Sequence, residues 1–344
     1  MKMLLSAATI VLCFNLSSAL SDSPIDITNQ IFSRHAANCA DYVDAYKSDV
    51  KDINNNKLFE GALNIKVENG NCIIKSNGIP NHDFDDGPKA FPNNTTTQND
   101  IYIITQSPKF ANTPTPISLG MDNGIFLNGV KLDMLAAACY GVGPGPIGQE
   151  KIGCHDLNQP FRYDPMYAHS NFIIDSHHAH TQPTGAYHYH GNPMAMFDND
   201  SAIESPVIGF AADGFPIYGS YFNDNGVIRK AKSSYVIKND GGPRKEVIYS
   251  GVTYSPGGHY DGKFVDDYEY DPDSGGDLDE CNGMNVNGQY GYYVTDTFPW
   301  IINCFRGTPD DSFKKRPPNG QAHHQRPGHK AQQKPHQRPP PKRY

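Results

Sequence analysis

The stretch DSHHAHTQPTGAYHYH, residues 175–190, holds five histidines in sixteen residues. Neutral imidazole is the commonest nitrogen ligand for zinc, copper, nickel and iron. In an extended chain, successive side chains alternate faces. His178 and His180 then share one face, as do His188 and His190, while His177, Tyr187 and Tyr189 point away. The intervening TQPTG places Pro183 and Gly185 at turn positions. In a hairpin, opposed β-carbons lie about 4.5–5.5 Å apart, so up to four imidazoles would converge. Three or four histidines on a rigid β-scaffold suit zinc or copper, and three with an open position suit a catalytic metal. Asp175 could be a fourth ligand or an acceptor that orients an imidazole. The spacing matches no zinc finger and no HExxH helix. It therefore points to a metal more firmly than to a reaction. The rival reading is a stacked tyrosine–histidine network, or pH-sensitive packing, without an ion.

Two other acidic features bear on metal chemistry. Residues 261–281, DGKFVDDYEYDPDSGGDLDEC, carry nine acids and one lysine. Asp271, Asp273, Asp277, Asp279 and Glu280 sit on a glycine-rich loop of the kind that offers oxygen ligands to calcium. EF-hand spacing is missing, and a solvated acidic loop is the plainer reading. Asp213, in AADGFPIYG, reads first as turn chemistry and second as a carboxylate facing a metal or orienting a histidine. Nucleophile motifs are absent: there is no Gly-x-Ser-x-Gly, and GVGPGPIG at 141–148 lacks the Gly-Lys-Ser/Thr of a phosphate loop.

The elements that must position these residues are short. ALNIKVENGNCIIKSNG, DIYIITQ, IFLNGV, NFIIDSH, VIGFAADGFPIYG, SYVIK, EVIYSGVTY and QYGYYVT are rich in β-branched and aromatic residues, with Gly, Pro, Asn and Asp between them. The composition, with 20 tyrosines, 17 phenylalanines, 32 glycines and 27 prolines, agrees. The expected fold is a single β-rich, all-β domain with long loops over residues 61–307. Residues 20–60 read as a separate, partly helical N-terminal segment. GAYHYH at 185–190 echoes GQYGYY at 288–293, which hints at two related β-units.

Met1-Lys2, an apolar run from Leu4 to Leu16 and Ser17-Ser18-Ala19 form a secretory signal, with cleavage expected after Ala19. No later apolar run is long enough to span a membrane. Six cysteines remain beyond the signal, and an even number in an exported chain indicates disulfides. Fifteen pairings are possible; sequence proximity favours Cys39–Cys72, Cys139–Cys154 and Cys281–Cys304. Asn93, Asn94 and Asn199 head glycosylation sequons. From Phe313 to Tyr344 there are nine Lys or Arg and no acid, so an acidic body carries a basic tail. The tail, rich in Pro, His and Gln, is expected to be disordered over residues 308–344. Its partners would be polyanions: an acidic matrix polymer, a mineral or silica surface, or the acidic body itself. Nucleic acid is an unsuitable partner for an exported chain.

DSHHAHTQPTGAYHYHGNP resembles the signature of the YHYH domain family. SNGIPNH at 76–82, FLNGV at 126–130, IGFAADGFPIYG at 208–219, DYEYDPDSGGDLDECNG at 267–283 and FPWIINCFRG at 298–307 extend the resemblance to residues 72–307. It implies a site drawn from His82, His178, His180, His188, His190 and Asp213. Members of the family often carry a second histidine-bearing run before the final Phe-Pro or Tyr-Pro; here it reads Tyr290-Gly291-Tyr292-Tyr293. The family is largely uncharacterised and implies little mechanism. Three functions are open: a secreted metal-binding protein, an extracellular matrix or biomineral-associated protein, and, least favoured, a metal-dependent enzyme.

Overall fold

The computed structural model describes residues 23–199 and 202–315. The signal segment, most of the basic tail and the Asp200-Ser201 part of the Asn199 sequon lie outside the described residues.

Two sheets dominate. The first has five strands in sequence order: Ile25–Asp26, Asp44–Asp52, Lys57–Glu68, Asn71–Ser76 and Asp100–Thr105. Alternation sets its inner face: Leu63, Ile65, Cys72, Ile74, Tyr102 and Ile104 are buried. The expected N-terminal segment is not separate. A boundary at residue 60 would cut the strand Lys57–Glu68, which pairs from Lys57 to Ile65 with Asp44–Asp52. The helical content expected there is one short 3-10 turn, Cys39–Tyr42. The strand was hidden because its inward positions include Ser48 and Asp52, both buried, beside Val50. Asp52 accepts from the Asn55 side chain, which satisfies the buried carboxylate.

The second sheet has eight strands, in spatial order Gly283–Val286, Gln289–Tyr293, Pro216–Tyr218, Val207–Ala211, Gly124–Phe126, Lys131–Leu132, Tyr187–Tyr189, Ala179–Thr181. That order is a palindrome of two like units. Each unit is a hairpin (124–132 or 207–218) followed by a later hairpin (179–189 or 283–293). The last strand of each lies parallel to the second strand of the first hairpin. The units meet where Gly209, Phe210 and Ala211 pair with Phe126, Ile125 and Gly124, a register symmetric about Ile125 and Phe210. Side chains repeat too. In the first unit Asn128 Nδ2 donates to the Tyr189 hydroxyl (2.8 Å) and Asn128 Oδ1 accepts from the Val130 N–H. In the second the Tyr292 hydroxyl donates to Asp213 Oδ2 (2.6 Å) and Asp213 Oδ1 accepts from the Phe215 N–H. The echo between GAYHYH and GQYGYY therefore has a structural basis.

One apolar cluster joins both sheets, with Tyr187, Tyr189, Phe126, Phe210, Ile217 and Tyr292 meeting residues of the five-stranded sheet. All described helices are 3-10 turns of three or four residues. The three expected disulfides are formed. The body runs beyond residue 307: Phe313 is fully buried against Tyr102, at 4.7 Å between ring centroids. Of the sequon asparagines, Asn94 is exposed, whereas Asn93 Nδ2 donates to the Thr181 carbonyl (3.0 Å).

Candidate metal centre

The two histidine runs form the expected hairpin. Ala179–Thr181 pairs antiparallel with Tyr187–Tyr189, and His180 stands directly opposite His188. His190 follows the strand on the same face. The three rings form a nearly equal triangle, with centroids 4.6, 4.7 and 4.9 Å apart. Their Nε2 atoms point inward: His188 to His190 is 3.0 Å and His190 to His180 is 3.3 Å. All three ligand atoms lie within 4.8 Å of one another. Each Nδ1 faces a main-chain carbonyl instead: Ile173 for His180 (3.2 Å), Met134 for His190 (3.4 Å) and Ala186 for His188 (3.5 Å). Carbonyls at Nδ1 favour the tautomer that carries the proton there, leaving Nε2 as the donor atom for an ion.

His188 and His190 are buried and His180 is partly buried. Burial lowers the His180 pKa, against the opposing pull of the Ile173 carbonyl and of Asp133, so its ring is neutral near pH 7. Lys131, beside His188 in the parallel pairing, is held 3.1 Å from Asp122. Burial alone would depress the Lys131 pKa, but Asp122 and Asp133 outweigh it and raise it. Asp133 Oδ2 in turn accepts from Gln182 Nε2 (2.6 Å) in the hairpin loop. Lys131, Asp122 and Asp133 were not legible as neighbours of the trio, because only the parallel strand pairing brings them there.

The other expected residues lie elsewhere. His178 leaves the face because its backbone is left-handed (φ 57°), which ends the alternation one residue before the strand. Its Nδ1 lies 2.8 Å from the Asn192 carbonyl. His177 does face away, and stacks on His82 with centroids 3.6 Å apart. His82 Nδ1 donates to the Asp83 carbonyl (2.7 Å), so its Nε2 accepts from the Tyr189 hydroxyl (2.6 Å). Burial, then the neighbouring His177, pushes the His82 pKa down to about 3. His82 thus sits on the tyrosine side of the hairpin, opposite the trio.

Asp175 touches no imidazole nitrogen. Its carboxylate accepts from the N–H groups of His177, Ala179 and Asp85 and from the Tyr187 hydroxyl, at 2.8–3.2 Å. It orients the hairpin backbone rather than a ring. Asp213 serves the other unit, tying Tyr292 and the Gly307 N–H. In the acidic loop, Asp277 is clamped by Arg229 through two 2.7 Å bonds, and Arg306 lies 3.6 Å from Asp279 and 3.3 Å from Glu280. Asp271 accepts from the Asp273 N–H. Among the described residues, the only group of three or more metal-ligating side chains that converges is the histidine trio.

The family model described as YHYH protein matches residues 101–307. The chain belongs to the YHYH family. The YHYH match spans both units of the eight-stranded sheet and starts later than the resemblance from Cys72 suggested, so His82 falls outside it. No curated protein and no solved structure matches the chain. The run that lacks histidine in this YHYH protein has a steric reason. By the repeat, His188, His180 and His190 correspond to Gly291, Met284 and Tyr293. A β-carbon on Gly291 would lie 2.4 Å from the Tyr218 ring. Tyr218 stacks on Tyr293, with Met284 packed beside them, where the first unit has its imidazoles.

Proposed function

We propose that this is an exported protein that holds one transition-metal ion, zinc or copper, through His180, His188 and His190. The carrying observation is the convergence of three Nε2 atoms at 3.0 and 3.3 Å. Zinc–nitrogen bonds of about 2.0–2.1 Å put tetrahedral ligand atoms about 3.3–3.4 Å apart. Two of the separations in the trio are within a few tenths of an ångström of that spacing, and all three ligand atoms lie within 4.8 Å of one another. Backbone carbonyls at each Nδ1 supply the orienting contacts that metal-bound histidines use. Two rings are closed off from solvent, which favours a firmly held ion over a site of turnover. Export is supported by three disulfides, which form and persist in oxidising compartments. No helix among the described residues is long and apolar enough to cross a membrane.

Cobalt(II) titration tests the site. Tetrahedral cobalt absorbs strongly in the visible, so one equivalent should develop an intense band that zinc displaces. His180→Ala should abolish that band and His178→Ala should leave it. A band that survives His180→Ala, or depends on His178, removes this proposal.

A further inference from the structure

A cavity of about 270 Å³ opens beside the histidine trio. Its walls come from three loop segments: Gly148, Gln149 and Glu150 near the Cys139–Cys154 bridge, the run Tyr163–Phe172, and Asp261 with Lys263. Phe172 lines it, and the Phe172 ring lies 6.5 Å from that of His180. Ile173, the next residue, presents its carbonyl to His180 Nδ1. The cavity and the trio thus share one wall without sharing ligands.

Every carboxylate on the wall is fixed by internal donors. Glu150 accepts from the N–H groups of Gly141 and Gly148 and from the Tyr163 hydroxyl (2.6 Å). Asp261 is held by Arg244, the Tyr167 hydroxyl and the Lys263 N–H. Asp164, buried, accepts from Trp300 Nε1 (2.9 Å) and the Met166 N–H. An ionised carboxylate has about four acceptor positions, so each can still receive hydroxyl donors in a set direction. The ammonium of Lys263 lies over the rings of Tyr163 and Phe264, at 5.7 and 5.5 Å, rather than against a carboxylate of the described residues. Tyr163, Tyr167 and Phe172 supply ring surface.

We propose that this cavity binds a neutral saccharide ring. Oriented acceptors beside aromatic faces match the alternating hydroxyl and C–H surfaces of a pyranose. Charge argues against the alternatives: three acids oppose an anion, and a cation would have to compete with the internal donors that already hold each carboxylate. The volume lies just below the ligand-pocket range of about 300–1,000 Å³ and suits a single sugar ring. The reading stands apart from the metal proposal, since none of its contacts uses the trio.

Trp300, the sole tryptophan of the chain, reports on the site through Asp164. The full chain is titrated with cellobiose, maltose, mannobiose and N,N′-diacetylchitobiose, and with glucuronate and glucosamine as charged controls. Binding is followed by calorimetry and Trp300 emission. At least one neutral disaccharide should bind in the millimolar range, with a saturable emission change, more tightly than either control. Tyr167→Ala and Phe172→Ala should each weaken it about tenfold by removing ring surface. Tyr167→Phe should retain most of it, and cobalt binding should be unchanged throughout. No heat from any neutral disaccharide, preference for a charged control, or unaltered affinity in both alanine variants that retain the native circular dichroism spectrum overturns the proposal.

Discussion

Asp175 gathers four donors onto one buried carboxylate, and burial raises its pKa to about 6 despite the Tyr187 hydrogen bond. Its removal should therefore be felt as lost stability of the hairpin rather than as a lost ligand. Asp175→Ala is expected to cost about 3 kcal/mol in urea unfolding, because several donors lose a charged acceptor. At low temperature, where the variant stays folded, metal stoichiometry should persist; a folded variant without metal would mark Asp175 as a ligand. Asp164 gives a pH signature. Burial raises its pKa to about 6, against the Trp300 and Met166 hydrogen bonds, while the unfolded value is about 3.9. Between those values the folded chain keeps a proton that the unfolded chain has lost, so this group's contribution falls as pH rises from about 4 to about 6. Asp164→Asn should gain on the parent by about 3 kcal/mol across that window, read from urea midpoints at each pH; a constant difference would contradict it. At this scale the sequence made His180, His188 and His190 legible, because strand alternation and a Pro/Gly turn are local properties. His178 was not legible, because a left-handed backbone at a histidine leaves no pattern. The His82–His177 stack joins residues 95 apart in the chain, and no spacing rule reaches across that distance.

The hairpins that carry the trio are half of a repeated element. Where the two units join, backbone approaches backbone: a β-carbon on Gly124 would lie 2.8 Å from the Phe210 carbonyl oxygen, and one on Gly209 would lie 2.7 Å from that of Ile125. Both contacts are to main chain that cannot swing aside. Gly124→Ala or Gly209→Ala should each cost at least about 2 kcal/mol, as overpacking does in a tight interior, with a matching drop in thermal midpoint. Equal stability for both variants would mean that the seam is looser than this geometry. The Cys39–Cys72 bridge closes 33 residues of the five-stranded sheet. By loop entropy its loss should cost about 3–4 kcal/mol, measured on a Cys39→Ala/Cys72→Ala variant under non-reducing conditions. Strands rich in Val, Ile, Tyr and Phe were legible from composition, and adjacent cysteines paired as their spacing suggested. The strand Asp44–Asp52 was missed because inward Ser48 and Asp52 are satisfied by partners invisible in sequence. The pairing of the two units was beyond reach from a six-residue echo, since it rests on an antiparallel contact between strands far apart in the chain, Gly124–Phe126 and Val207–Ala211.

Across the whole molecule, charge is divided: nine Lys or Arg and no acid follow Phe313, while all 37 acids precede it. The basic arm is proposed to seat the body on a polyanionic surface, and Phe313 belongs to the body's core rather than to the arm. Truncation after Lys315 should leave folding intact and reduce adsorption to silica several-fold at low salt, with the difference shrinking as salt rises. Adsorption that ignores the truncation would place the contact on the body. The family match covers both β-units of the eight-stranded sheet, yet only the first retains the imidazoles. One ion per chain is therefore the expected stoichiometry. Elemental analysis of natively purified protein tests that most directly, with His188→Ala/His190→Ala alongside. The account predicts close to one zinc or copper per chain, lost in the variant. A parent chain that stays metal-free after dialysis against both ions would contradict it.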